Sequence, residues 1–241
     1  MRNSFKILIL FFLIFKSAFA TELLTFESSE IEIINNGKFV YAKNGKAISR
    51  ENNLEIEAKN FEYDKDLKIL KAFNGFALYK DNDLRINFEK MTLDQNESTL
   101  TAKDNVRIYE EKKNFSIETD LIIYNKKDNI IKSPTKSILK DNFNNRINSK
   151  KFEYDLTNSV IKIDQANLVD SQNNNFNISL AYINTTLNKV YGKDVEAYLE
   201  NISFNKGNEP RLKGKSVIYD TETTEISKGV FTTCKRRDNC P

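Results

Sequence analysis

The feature that most constrains this chain is a motif that returns every thirty residues. Ala42-Lys43-Asn44-Gly45-Lys46-Ala47-Ile48 recurs as Ala72-Phe73-Asn74-Gly75-Phe76-Ala77-Leu78 and, more loosely, as Ala102-Lys103-Asp104-Asn105-Val106-Arg107-Ile108. A second motif travels with it: apolar residues at alternate positions, a slip of one, then an apolar or aromatic pair ahead of Asp or Asn. It reads Leu54, Ile56, Ala58, Phe61, Tyr63, Asp64, and then Leu84, Ile86, Phe88, Met91, Leu93, Asp94. Later copies place Phe115, Ile117, Ile122, Tyr124 and Asn125, then Ile147, Phe152, Tyr154 and Asp155. A degraded copy holds Phe176, Ile178, Leu180 and Ile183, and a last one Leu212, Val217, Tyr219 and Asp220.

Alternation of this kind is the period of a strand with one buried face. A slip of one residue would turn the second half of the strand inside out, so a corner or bulge is expected between Ala58 and Phe61. The Asp and Asn residues that close each copy are turn formers, and Asn44-Gly45 and Asn74-Gly75 predict further tight turns. Each copy therefore predicts strand, corner, strand, turn, strand. One such unit cannot cover its own apolar face, whereas a stack of them shares a continuous core. The expected fold is all-β: an elongated antiparallel β-jelly roll, or folded-over repeat sheet, with very little helix.

The ends of the chain differ from this body. Arg2 and Lys6, the apolar run from Ile7 to Phe15, and Ala18-Phe19-Ala20 have the order of a cleaved secretory signal. The apolar run is shorter than the about 20 residues that span a bilayer. The expected organisation is a signal peptide over 1–20, a repeat domain over 21–228 and a cysteine-containing junction over 229–241. Its two cysteines, Cys234 and Cys240, are disulfide candidates in an oxidising compartment. Two cysteines are too few for a structural zinc site, and their spacing is wider than a redox Cys-x-x-Cys motif.

Charge and chemistry narrow the function. A net charge of +3, with Lys and Arg interleaved among Asp and Glu, gives no nucleic-acid footprint. With no histidine there is no imidazole base and no conventional catalytic triad. Asp64, Asp94 and Asp155 recur at turn positions, where side-chain to backbone bonding explains them better than catalysis. No enzyme activity, metal or cofactor is expected. The tyrosines Tyr63, Tyr124, Tyr154 and Tyr219 suit either a packed core or a ligand groove.

These motifs resemble a known family. The Ala-x-Asn-Gly-x-Ala and Phe-x-Tyr-Asp repeats, with Gly229-Val230-Phe231-Thr232-Thr233-Cys234 and Cys240-Pro241, are similar to the periplasmic OstA-like domain of the lipopolysaccharide-assembly (LptD, organic solvent tolerance) family. The resemblance spans the mature chain. It implies a bent, V-shaped jelly roll in the periplasm, associated with the outer membrane, whose interior holds lipopolysaccharide acyl chains and passes them to a translocon. Ile56, Phe61, Tyr63, Ile86, Phe88, Ile117, Tyr154 and Val217 would then line the lipid groove. Implied partners are lipopolysaccharide, an LptA-type bridge protein joined by edge-strand pairing, and an outer-membrane barrel with its lipoprotein plug. Against that pattern, the chain stops at Pro241, where the barrel should start, and lacks a cysteine near the mature N-terminus. A bond between Cys234 and Cys240, or from each to barrel cysteines, remains open. The competing expectation is a structural or adhesive envelope repeat protein with a fully packed interior.

Overall fold

The computed structural model describes residues 24–81, 83–110, 115–141, 144–200, 210–220 and 223–233. The expected signal segment over 1–20, Cys234 and Cys240 lie outside the described residues. Within them there is no helix, and seventeen strands form one antiparallel sheet. After β1 (Thr25–Ile34) the strands come in pairs: β2 (Phe39–Ser49) with β3 (Leu54–Asp64), β4 (Ile69–Tyr79) with β5 (Leu84–Asp94), and β6 (Thr99–Glu110) with β7 (Phe115–Asn125). The fourth pair is broken into β8 (Ile130–Ser133), β9 (Ser137–Asp141), β10 (Arg146–Ser149) and β11 (Lys151–Asp155). Next come β12 (Val160–Val169) with β13 (Asn175–Asn184), then β14 (Lys189–Tyr198) with β15 (Arg211–Tyr219), and last the short β16 (Thr224–Ser227) and β17 (Val230–Thr232). The pairs begin at residues 39, 69, 99, 130, 160 and 189, so one copy of the sequence repeat is one pair of strands.

Every full-length strand bends in the middle, and the bend divides the sheet into two limbs that face each other. In β3, Leu54, Ile56 and Ala58 point inward, Lys59 and Asn60 are exposed, and Phe61 and Tyr63 point inward again. The expected phase slip is thus a corner. The partner strands turn it with a single left-handed residue: Asn44 (φ 48°), Asn74 (φ 55°), Gln165 (φ 55°) and Asp194 (φ 51°). One residue in that region reverses which side the next side chain faces, and Asn and Asp tolerate it better than other residues with a Cβ.

The tight turns expected at Asn44-Gly45 and Asn74-Gly75 are instead corners inside continuous strands: each site has one left-handed residue, and the strand bends there without reversing. The glycines serve another purpose. A Cβ on Gly75 would lie 2.0 Å from the Glu57 carbonyl oxygen, and one on Gly45 would lie 2.2 Å from that of Glu27. β6 carries both Asp104 (φ 62°) and Asn105 (φ 52°) in the left-handed region, with a register shift against both neighbours. That extra residue is why the third copy matches loosely: Ile108, not Arg107 at the thirty-residue spacing, stands across from Ile86 as Ala77 does on the other side. In the degraded copy the expected inward Leu180 sits at the corner instead, and Ala181 takes the inward position.

At the tip of the second limb, turns are built alike. Asp64 accepts a hydrogen bond from the amide of Leu67, Asp94 from those of Asn96 and Glu97, Asn125 from those of Lys127 and Asp128, and Asp155 from that of Asn158. Lys68, Ser98, Asn129, Ser159 and Asn188 close these turns with φ of 51–56°. Their carbonyls, those of Lys68, Ser98, Asn129 and Ser159, each accept the amide that opens the next turn, at Gln95, Lys126, Leu156 and Thr185. A ladder of backbone bonds thus ties successive copies together at the tip.

Candidate functional site

The candidate site is the space between the limbs. Cross-strand neighbours alternate small and large along it, as in Ala42, Phe61, Ala72, Met91, Ala102 and Ile122, which lie side by side on β2 to β7. Nearer the tip the row is uniformly large: Val40, Tyr63, Leu70, Leu93, Leu100 and Tyr124. Such interdigitation lets two faces approach without voids. All eight residues expected to line the interior point into it, and none of Ile56, Phe61, Tyr63, Ile86, Phe88, Ile117, Tyr154 and Val217 is more than 6% exposed. They belong to one continuous cluster that runs from Leu24 to Val217. The expected open groove is not present at these positions: their side chains fill the space between the limbs.

The two limbs meet at their tips along a seam of aromatic pairs. Phe26 on the first limb lies 5.9 Å from Tyr63 on the second, Tyr79 lies 4.8 Å from Tyr124 edge to face, Phe115 lies 6.2 Å from Tyr154, and Phe176 lies 6.2 Å from Tyr219. In each case the first residue belongs to a strand two or three layers before that of the second, so the limbs cross at an angle. An aromatic pair of this geometry contributes about 0.5–1.5 kcal/mol beyond the area it buries.

Polar groups punctuate the seam. The Tyr154 hydroxyl donates to the buried Glu110 carboxylate and lies 3.3 Å from the Thr185 hydroxyl. Burial, and then the Glu110 carboxylate beside it, holds the Tyr154 phenol well above its usual range, because both disfavour the phenolate. Burial, with the Asp81 carboxylate second, pushes Tyr124 up to about 12. The Lys126 ammonium crosses from the second limb to Asp81 at 3.5 Å and stands 5.3 Å above the Tyr79 ring. Sequence reasoning missed Glu110, although a signal was present: Val106, Ile108 and Glu110 share one inward parity, so the pattern places a carboxylate where an apolar residue belongs.

A small, partly open cavity of about 60 Å³ interrupts the packing, between the limbs in the C-terminal half. Leu139, Ile147 and Leu168 from the first limb and Ile183 and Val190 from the second form its walls. At the middle of the sheet the corner is polar: Thr119, Ser133 and Ser137, all buried, share hydroxyl bonds of 2.9–3.3 Å where Pro134 separates β8 from β9. The recurring carboxylates Asp64, Asp94 and Asp155 are engaged as turn caps, each at a different layer, and are not brought together.

No family model and no curated protein matches the chain. Among solved structures it is similar to LptH, described as the LptA-homologous periplasmic component of the lipopolysaccharide transport device from Pseudomonas aeruginosa. That likeness has a TM-score of 0.44 and 10% identity, and covers 51% of this chain and 98% of the other.

Proposed function

We propose that this chain is a non-enzymatic lipopolysaccharide-transport domain of the periplasm, holding acyl chains between its two limbs and passing them toward an outer-membrane translocon. The observation that carries this reading is the apolar interior, one cluster that runs from Leu24 to Val217 and is bounded on its open side by side-chain contacts. The repeat and tail motifs that resemble the OstA-like domain point the same way. Burial of each methylene is favourable by about 0.8 kcal/mol, so a ten-carbon stretch gains about 8 kcal/mol. That exceeds what any one aromatic pair of the seam contributes. Nearly equivalent layers also keep affinity even along the stack, which transport requires because a deep local minimum would trap the cargo.

Partners follow from the ends of the sheet. Among the described residues β1 pairs only with β2, and β16 and β17 only with β15, so each end layer presents a strand edge. Ile31 and Ile33 near one edge and Val230 and Phe231 near the other are exposed. Edge-strand pairing with an LptA-type bridge protein fits such edges. The segment 229–241, with Cys234 and Cys240, is proposed as the junction to an outer-membrane barrel and its lipoprotein plug, and 1–20 as the signal that delivers the chain to the periplasm.

One observation favours a second reading. The interior is filled, as in a structural or adhesive envelope repeat protein. Photo-crosslinking separates the two: a photoreactive residue at Phe61 or Ile86 is expected to label lipopolysaccharide, while Glu62 and Arg85 on the outer face are not. A folded protein that labels at neither inward site, or equally on both faces, would establish the packed structural protein instead.

A further inference from the structure

The cavity between the limbs has a position that suits loading from the side. It lies between two aromatic contacts of the seam, Phe115 with Tyr154 and Phe176 with Tyr219, and both limbs contribute to its walls. We propose that this cavity is a lateral port through which the acyl chain of an amide- or ester-linked amphiphile enters the interior; the proposal rests on the lipid-transport reading above.

Three observations carry it. First, the backbone hydrogen bonds of the turns and of the strand ladders run within one limb or the other, as from Lys126 to Ser98 in the second limb and from Lys80 to Asn53 in the first. The contacts described across the seam are made by side chains. Parting the limbs there separates side chains while every ladder stays whole, whereas threading a chain from an end of the stack must displace each packed layer in turn. Second, the cavity is where the filled interior already has space, and its apolar walls match a hydrocarbon chain. Third, the polar groups of its lining are mostly amides and hydroxyls, Asn145, Asn184, Asn188, Thr185 and Tyr219; the Asp141 carboxylate is held by both the backbone and the side-chain amide of Asn145, and the Lys140 ammonium is drawn away to Glu118 at 3.1 Å. That chemistry suits an amide or ester linkage, which offers a carbonyl and in one case an N–H, and does not suit a bare phosphate. Asn145 from the first limb and Tyr219 from the second both line the cavity, and Tyr219 is also the seam residue that packs against Phe176, so a group that closes the port stands at its mouth.

The test locks the port and reads the interior. In the full mature chain, with Cys234 and Cys240 replaced by Ser, Phe176→Cys and Tyr219→Cys are introduced and bridged across the port by a short bis-methanethiosulfonate reagent, whose disulfides to the two thiols are cleaved on reduction. A second variant carries Phe26→Cys and Tyr63→Cys at the distant end of the seam. Each also carries a photoreactive residue at Ile86 and is exposed to purified lipopolysaccharide or to phosphatidylethanolamine vesicles. The expected result is loss of Ile86 labelling when the port is bridged, its return on reduction, and labelling in both the bridged and the reduced state of the distant lock. Return on reduction shows that the locked protein is folded. Labelling by one lipid source only identifies the amphiphile and supports the port. Undiminished labelling with the port locked overturns it while leaving lipid transport standing. Absence of labelling from either lipid in the unlocked, folded chain overturns both.

Discussion

At the scale of single residues, the corner of each strand is decided by very few atoms. Asn74 supplies the left-handed conformation and Gly75 supplies the missing Cβ, and these are separate demands. Asn74→Gly is expected to leave stability nearly unchanged, whereas Asn74→Val should lose about 1–2 kcal/mol, because a β-branched residue resists that region. Gly75→Ala should lose about 1–3 kcal/mol by overpacking against the Glu57 carbonyl and Ala58. Urea denaturation of the three variants checks the ordering. On the outer face, Glu55 receives Lys46 at 2.5 Å and Lys80 at 3.0 Å, and the hydrogen bonds from these two ammonium groups hold its carboxyl below the usual range. The unfolded chain thus takes up the proton first. The stability from these pairs is complete above the ordinary Glu value of 4.5 and is lost as pH falls through the lower folded value. Glu55→Gln should therefore destabilise the protein at pH 7, by no more than about 1 kcal/mol, and make no difference in acid. A penalty that persists once the carboxyl is protonated would show that the pairing is not its source.

At the scale of elements, the repeat reads as two bent strands and a capped turn. Much of this was legible in the sequence, because alternation, phase slip and the closing Asp or Asn are local signals. The inward residues of the first two copies, Leu54, Ile56, Ala58, Phe61 and Tyr63 and then Leu84, Ile86, Phe88, Met91 and Leu93, follow from parity alone. What was not legible depends on one limb meeting the other. Asn-Gly reads as a tight turn because nothing local distinguishes a chain reversal from a corner within a strand. Leu180 reads as inward because the degraded copy hides where its corner falls. The pairing of Tyr79 with Tyr124, or of Phe115 with Tyr154, depends on the crossing of the limbs, which no single strand encodes. The turns themselves offer a local test: Asp94→Ala removes the acceptor for the amides of Asn96 and Glu97. It should cost about 1 kcal/mol and speed hydrogen exchange at those two amides in particular. Unchanged exchange there would mean that the backbone alone holds the turn.

At the scale of the whole molecule, the stack behaves as a column whose core is shared by all layers and whose open side is closed by side chains. A closed column and a lipid conduit are compatible only if the limbs separate when cargo enters. The resting interior is packed at Ile56, Ile86, Ile117 and Tyr154, so acyl chains must take the place of contacts that now join the two limbs. The ladder of backbone bonds along the second limb's turns resists distortion along the stack, which leaves motion about the corners as the cheap coordinate. The most direct measurement is the distance between the limbs with and without lipid, from spin labels at Leu187 on one tip and Gln172 on the other, both exposed. Lipopolysaccharide is expected to lengthen that distance in the folded protein. An unchanged distance at lipid concentrations that label the interior would contradict a cargo held between the limbs.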